Sequence, residues 1–340
     1  MIELKPLLAA LNGRVIKPPP LWLMRQAGRY LPEYRALRQK AGGFLDLCLT
    51  PAYAAEATVQ PIRRFGFDGA ILFSDILVIA KALGRELVFR DGDGPSLVPL
   101  TSAHELAVSS DTKVLAPVYA ALRQIKIALS TRTTLLGFAG GPWTVAAYVI
   151  DGNGRGQFAK ARQWAKEYPD ALDAVIARLA DATAAHLAAQ LDAGAEAVQL
   201  FDSWAGLLTP EQFRRFVVAP TRRIVAALKA RHPRAPVIGF PRNAGVLYED
   251  YFVQTGVDAL CLDQSVSLER ARTLQSHGPV QGNLDPAVLV AGGAALDRAV
   301  GALLEALCGR PFVFNLGHGI LPETPLAHVE RLVQLVRGGP

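Results

Sequence analysis

Residues 20–35 read PLWLMRQAGRYLPEYR, in which the apolar run Leu21–Met24 passes directly into the cationic turn Arg25-Gln26-Ala27-Gly28-Arg29. A short apolar run bounded by turn residues reads as a strand. The turn after that strand separates two α/β architectures. An open, doubly wound sheet places a glycine-rich, phosphate-binding turn at this point. Two arginines around a single glycine do not fit that turn. A (β/α)8 barrel has no such requirement, and the loops after its strands build the active site.

The pattern repeats outward from this stretch. Further apolar runs stand at Ala70–Phe73, Thr134–Phe138, Ala197–Phe201, Pro236–Phe240, Asp258–Leu262, Pro279–Gln281 and Pro311–Asn315. Segments with helical spacing separate them, among them Pro51–Phe65, Val114–Leu129, Asp170–Asp192, Pro210–Arg231 and Leu296–Leu307. Eight strands alternating with helices predict a parallel sheet with right-handed crossovers, and eight is the number that closes a TIM barrel. Thr50-Pro51 and Thr209-Pro210 read as N-caps followed by proline in the first turn. The segment Gly84–Ser110 carries RDGDGP at Arg90–Pro95 and reads as a surface excursion with a small hairpin. No linker divides the chain, so residues 1–340 are expected to form a single domain.

Composition narrows the function classes. With 51% apolar and 19% charged residues, the 340-residue chain can bury a large core without disulfides or metal. Cys48, Cys261 and Cys308 are widely spaced and form no CxxC pair, which fits a reducing cytoplasm. No signal-peptide core and no membrane-spanning run are present in the sequence. The net charge of +6 suits an acidic ligand, but the basic residues form no block of the kind that binds nucleic acid.

The barrel rule selects the residues just after each strand. They are Arg25 and Arg29, then Asp75, then GFAGGPWT at Gly137–Thr144 with Tyr148 beyond it. Asp202, Ser203 and Trp204 come next, then Arg242 and Asn243, Asn283 and Asp285, and finally Gly317-His318-Gly319. Guanidinium forks bind carboxylates or phosphates bidentately, so Arg25 and Arg29 suit a polyanion; the competing reading pairs them with Glu33 or another acid in structural salt bridges. Asp75, directly beyond an apolar strand, either meets an arginine or serves a cationic ligand or intermediate. His318 lies between glycines that permit close backbone approach, and its side-chain type titrates near neutrality. A metal role for it lacks a second ligand at zinc spacing. Ser203 has no nucleophile elbow. Gly152-Asn153-Gly154-Arg155-Gly156 fits no nucleotide-binding spacing and reads as a flexible lid.

Six blocks, taken together, resemble the uroporphyrinogen decarboxylase family. They are residues 20–35, FSDIL at Phe73–Leu77, GGPWT at Gly140–Thr144, QLFDSWAG at Gln199–Gly206, GNLDP at Gly282–Pro286 and NLGHGI at Asn315–Ile320. The resemblance implies a barrel enzyme, usually a cytoplasmic homodimer, that uses no metal or organic cofactor. It implies conversion of the four acetate side chains of uroporphyrinogen to methyls, giving coproporphyrinogen and carbon dioxide in heme and tetrapyrrole synthesis. Carried over to this sequence, the substrate-binding residues are Arg25, Gln26, Ala27, Gly28, Arg29, Asp75, Tyr148, Ser203 and His318. Catalysis falls on Asp75, Arg25 and Tyr148; Arg38 and Phe201 also match pocket positions. Methyltransferases on a similar barrel bind zinc through a His-x-Cys pattern, which the His318-Gly319-Ile320 sequence lacks. A porphyrin carrier without catalysis is the remaining rival class.

Overall fold

The computed structural model describes residues 4–90, 94–107 and 111–338. Seven parallel strands form its main sheet. In chain order they are β1 (Gly69–Ile71), β4 (Thr134–Gly140), β5 (Ala197–Asp202), β6 (Val237–Pro241), β7 (Ala259–Cys261), β8 (Val280–Leu284) and β9 (Phe312–Leu316), and each neighbours the next. Every residue of β6 to β9 is buried. Helices cover one face of such strands and packed side chains the other, which is why they read as continuous apolar runs rather than as alternation. The remaining pair, β2 (Leu87–Arg90) and β3 (Gly94–Leu97), is an antiparallel hairpin within the expected excursion. The turn residues 91–93 of RDGDGP lie outside the described residues.

The expected first strand, Leu21–Met24, is shortened to one bridge. Leu21 pairs in parallel with Phe314 of β9. The Trp22 N–H donates to the Phe314 carbonyl at 3.3 Å, and the Phe314 N–H donates to Pro20 at 2.9 Å. On its other side the Leu21 carbonyl accepts from the Asp68 N–H at 2.8 Å, and the Leu21 N–H donates to the Asp68 carboxylate at 2.8 Å. The sheet therefore curls until both its edges reach this segment. Proline at 18, 19 and 20 removes the donors that a longer ladder needs, and the chain turns away after Met24.

The helix Pro51–Phe65 starts where expected, but the Thr50 hydroxyl makes no cap bond. Thr209 does cap, exchanging bonds with Gln212 in a full capping box. The expected helix 210–231 contains a π turn at Arg214–Val218. Pro220 has no N–H to donate, and the Ala219 N–H reaches back to Arg214 instead of one residue later. Among the described residues no helix is long and apolar enough to cross a membrane. The three cysteines are free and buried.

Candidate active site

The turn beyond Leu21 is fixed from beneath. The Asn315 amide oxygen accepts from the Met24 N–H at 2.9 Å, and the Met24 carbonyl accepts from Ile320 at 2.9 Å. Gln26 is fully buried. Its amide oxygen accepts from Leu23, its amide nitrogen donates to Gly69, and its main-chain N–H and C=O bond to Leu23 and to the Tyr30 hydroxyl. Gln26, expected to touch substrate, is thus committed to holding the turn. The geometry this achieves is costly: Arg25 sits at φ 59, a left-handed conformation worth about 1 kcal/mol or more in a non-glycine residue. Gly319 makes room for the result, because a Cβ there would overlap the Arg25 side chain.

Arg25 is the electrostatic centre of the mouth. Water reaches its guanidinium, yet protein surrounds it closely enough that burial lowers its pKa. Asp75 and Tyr148 oppose that shift, while Arg242 and Arg29 add to it. Glu33, the competing partner, instead pairs with Arg64 at 2.7 Å. Among the described residues no carboxylate lies within ion-pair distance of Arg25, Arg29 or Arg242.

Asp75 is half-buried after β1. One carboxylate oxygen accepts from the Leu77 N–H at 2.8 Å. Burial pushes its pKa up to about 6, against the Leu77 bond and the charge of Arg25. Tyr148 stands on the helix Pro142–Asp151, its ring edge-on to Phe158 at 4.9 Å between centroids. Burial raises its pKa, a hydrogen bond from Trp204 lowers it, and it feels both Asp75 and Arg25. Ser203 comes directly after β5 and is half-buried. Phe201 is half-buried against Phe138 at 5.6 Å, and the Arg38 guanidinium lies 5.9 Å from the Phe44 ring.

His318 requires a correction. Burial and the charges of Arg25 and Arg242 push its pKa down to about 3, with Asp263 opposing. It is a neutral imidazole at physiological pH, not a group titrating near neutrality. Other residues after the strands serve the frame. Asn283 donates to the carbonyls of Asp263 and Val266, and Asp285 caps the helix Pro286–Ala291. The glycine-rich stretch read as a lid is tied to the hairpin, with the Leu97 N–H donating to Gly152 at 2.7 Å and Ser96 bridging Asn153.

Two supporting roles depend on partners that the linear sequence does not bring together. Asp202 is buried, accepts from the Thr144 N–H and hydroxyl, and is pushed up to about 7 by burial. The same Thr144 hydroxyl accepts from the Trp204 main-chain N–H at 3.1 Å, so this pair fixes the backbone that carries the indole acting on Tyr148. Asp263, just beyond β7, fixes the turn at Asn243. Its signal was its place directly after a strand. Among the described residues no group of three His, Cys, Asp or Glu is placed to hold a metal.

A family model described as uroporphyrinogen decarboxylase (URO-D) matches residues 3–339. The chain belongs to the uroporphyrinogen decarboxylase family. Relatives named uroporphyrinogen decarboxylase include one from Sphingopyxis alaskensis, 56% identical over 337 residues and covering 98% of both chains. Another, from Chelativorans sp., is 54% identical over 336 residues, again 98% of each. Among solved structures, a methyltransferase from Methanosarcina mazei superposes with a TM-score of 0.81 over 99% of both chains at 20% identity. Likeness at that identity speaks to the fold alone. Family membership gives Arg25, without an ion-pair partner among the described residues yet acting on Asp75, a context that the geometry by itself leaves open.

Proposed function

We propose that this chain decarboxylates uroporphyrinogen III to coproporphyrinogen III, as a carboxy-lyase of tetrapyrrole synthesis that recruits no metal or organic cofactor. The observation that carries the reading is Asp75: a half-buried carboxylate with one backbone donor, within the field of Arg25, an arginine that has no acid partner within ion-pair distance among the described residues.

A pyrrole acetate cannot simply lose carbon dioxide, since its bonding electrons have nowhere to go. Protonation of a pyrrole carbon creates a ring cation that accepts them. The carboxyl leaves as carbon dioxide, the exocyclic carbon takes a proton to become methyl, and the ring carbon returns its own. The net change is one proton consumed and one carbon dioxide released per acetate. The substrate thereby supplies the electron sink that a cofactor provides elsewhere.

In this reading Asp75 accepts hydrogen bonds from pyrrole N–H groups and faces the cation. At 4 Å and an effective dielectric near 20 that attraction is about 4 kcal/mol. It acts on the barrier, because the charge exists only along the reaction path. Arg25 and Arg29 orient carboxylates, the main chain at Ala27 and Gly28 lines the same wall, and Tyr148, Ser203 and neutral His318 offer hydrogen bonds. Gln26 contributes by holding the turn. The Leu21 segment serves as the eighth stave of a closed (β/α)8 barrel, a single domain over residues 1–340 acting in the cytoplasm as a homodimer. The bonds of Leu21 to both sheet edges support the closure.

The decisive experiment is an anaerobic assay with uroporphyrinogen and no added metal, following coproporphyrinogen by fluorescence after oxidation. Coproporphyrinogen is expected. A carrier would bind without releasing carbon dioxide, and that outcome would overturn the assignment.

A further inference from the structure

Arg242 lies just after β6, the middle strand of the seven, and so stands farthest along the sheet from the edges between which the Arg25 segment lies. Its charge nevertheless reaches both Arg25 and His318. The two arginines thus stand on loops from opposite walls of the mouth and share one electrostatic neighbourhood. Arg242 is half-buried, and its Nε is buried without an acceptor among the described residues. Its backbone is held in place: the Arg242 N–H donates to Asp202 at 3.1 Å, and its carbonyl accepts from Gly206 at 3.1 Å. A Cβ at Gly206 would overlap the adjoining backbone of Asn243, so the turn is closely packed. A buried guanidinium edge without an acceptor, in the field of a second arginine and with no carboxylate in ion-pair reach of either among the described residues, is poised for an anion.

We infer that Arg242 and Arg25 form a clamp for one propionate carboxylate of the substrate, a group kept through the reaction. The clamp rests on the decarboxylase function proposed for the site. The choice of propionate over acetate comes from energetics. A departing carboxylate loses its charge on the way to carbon dioxide, so a two-arginine clamp would stabilise the reactant more than the transition state and slow the step. A retained propionate keeps its charge throughout. Binding it equally in substrate, transition state and product costs the chemical step nothing and fixes the ring above Asp75. Neutral His318, between the two arginines electrostatically, adds no third positive charge.

The test compares wild type with Arg242→Met and Arg242→Lys. Under anaerobic conditions the KM for uroporphyrinogen and the calorimetric Kd for coproporphyrinogen are measured together. In the methionine variant both are expected to rise by roughly ten- to a hundred-fold, the loss of a charge-assisted bond, with kcat changed by less than about three-fold. Lysine keeps the charge but not the fork and should recover only part of the affinity. If the methionine variant fails to fold, the lysine variant carries the test, with both constants expected to rise by at least about three-fold. Substrate and product affinities both within two-fold of wild type overturn the clamp. So does a loss confined to the substrate, which would place an acetate there, or a fall in kcat alone. A wild-type protein that releases no carbon dioxide sinks the parent reading instead, whereas an active wild type with indistinguishable variants sinks only the clamp.

Discussion

The loops after β1 and β7 each present an aspartate, and the two are treated in opposite ways. Asp263, fully buried, accepts from the Asn243 N–H at 2.6 Å, the Tyr248 hydroxyl at 2.5 Å, and the Ser265 N–H and hydroxyl at 2.8 and 2.5 Å. Those donors overcome burial and hold its pKa below the ordinary range. Asp75 receives the Leu77 N–H alone among the described residues, and burial pushes it up to about 6. A carboxylate whose lone pairs are filled by the fold is an anchor; one left with lone pairs unfilled is available to a ligand. Donor count, not residue type or position after a strand, separates them.

The contrast can be broken most sharply at Asp75. Replacing it with Asn keeps the shape and removes the charge, so turnover should fall by about a thousand-fold, the rate equivalent of about 4 kcal/mol, with the fold intact by circular dichroism. Unchanged turnover would mean that the unfilled lone pairs serve nothing. Asp263→Ala should do the reverse, lowering unfolding stability by about 3 kcal/mol in denaturant titration, because several buried donors lose their acceptor. A loss of activity without a loss of stability would place Asp263 on the chemical side of the comparison.

The mildest perturbation is pH. Asp75 must be ionised to face a cation, so kcat/KM should show an acid limb with half its value lost near pH 6. Stability moves oppositely at the two sites. The raised pKa of Asp75 means that stability is lost as pH rises from the ordinary aspartate value to about 6. The lowered pKa of Asp263 means that its contribution is full above the ordinary value and is lost as pH falls through the folded one. The deficit of Asp263→Ala should therefore fade in acid. A flat kcat/KM profile down to pH 5 would contradict the assignment of Asp75.

Much of this was legible in the linear sequence, and the failures have physical causes. Seven of the expected strands formed where apolar runs met turn residues, since burial on both faces leaves an unmistakable local signature. The first shrank to a bridge at Leu21 because prolines before it lack donors and Arg25 after it turned left-handed, both backbone effects that hydrophobicity does not register. Arg25, Asp75, Tyr148 and Arg29 were identified from their places, and they do influence one another's charges. The family resemblance carries Gln26 over as a substrate ligand with the rest of its segment, and only its burial and hydrogen bonds reveal a brace. The neutrality of His318 comes first from burial and then from arginines brought in from two other loops, a coincidence of folding that no local window contains. The Thr144–Asp202 support was similarly hidden, since neither residue forms a motif with the other along the chain.

Gly319 gives the mouth a property that charge maps would miss. A single methyl group there would leave every titratable residue present, yet Arg25 would have to abandon its path along the backbone. The electrostatics of this site are thus addressed by an absence of atoms. Its arginine is aimed by a channel one hydrogen wide, and a neutral alanine could misdirect it as thoroughly as a deletion would silence it.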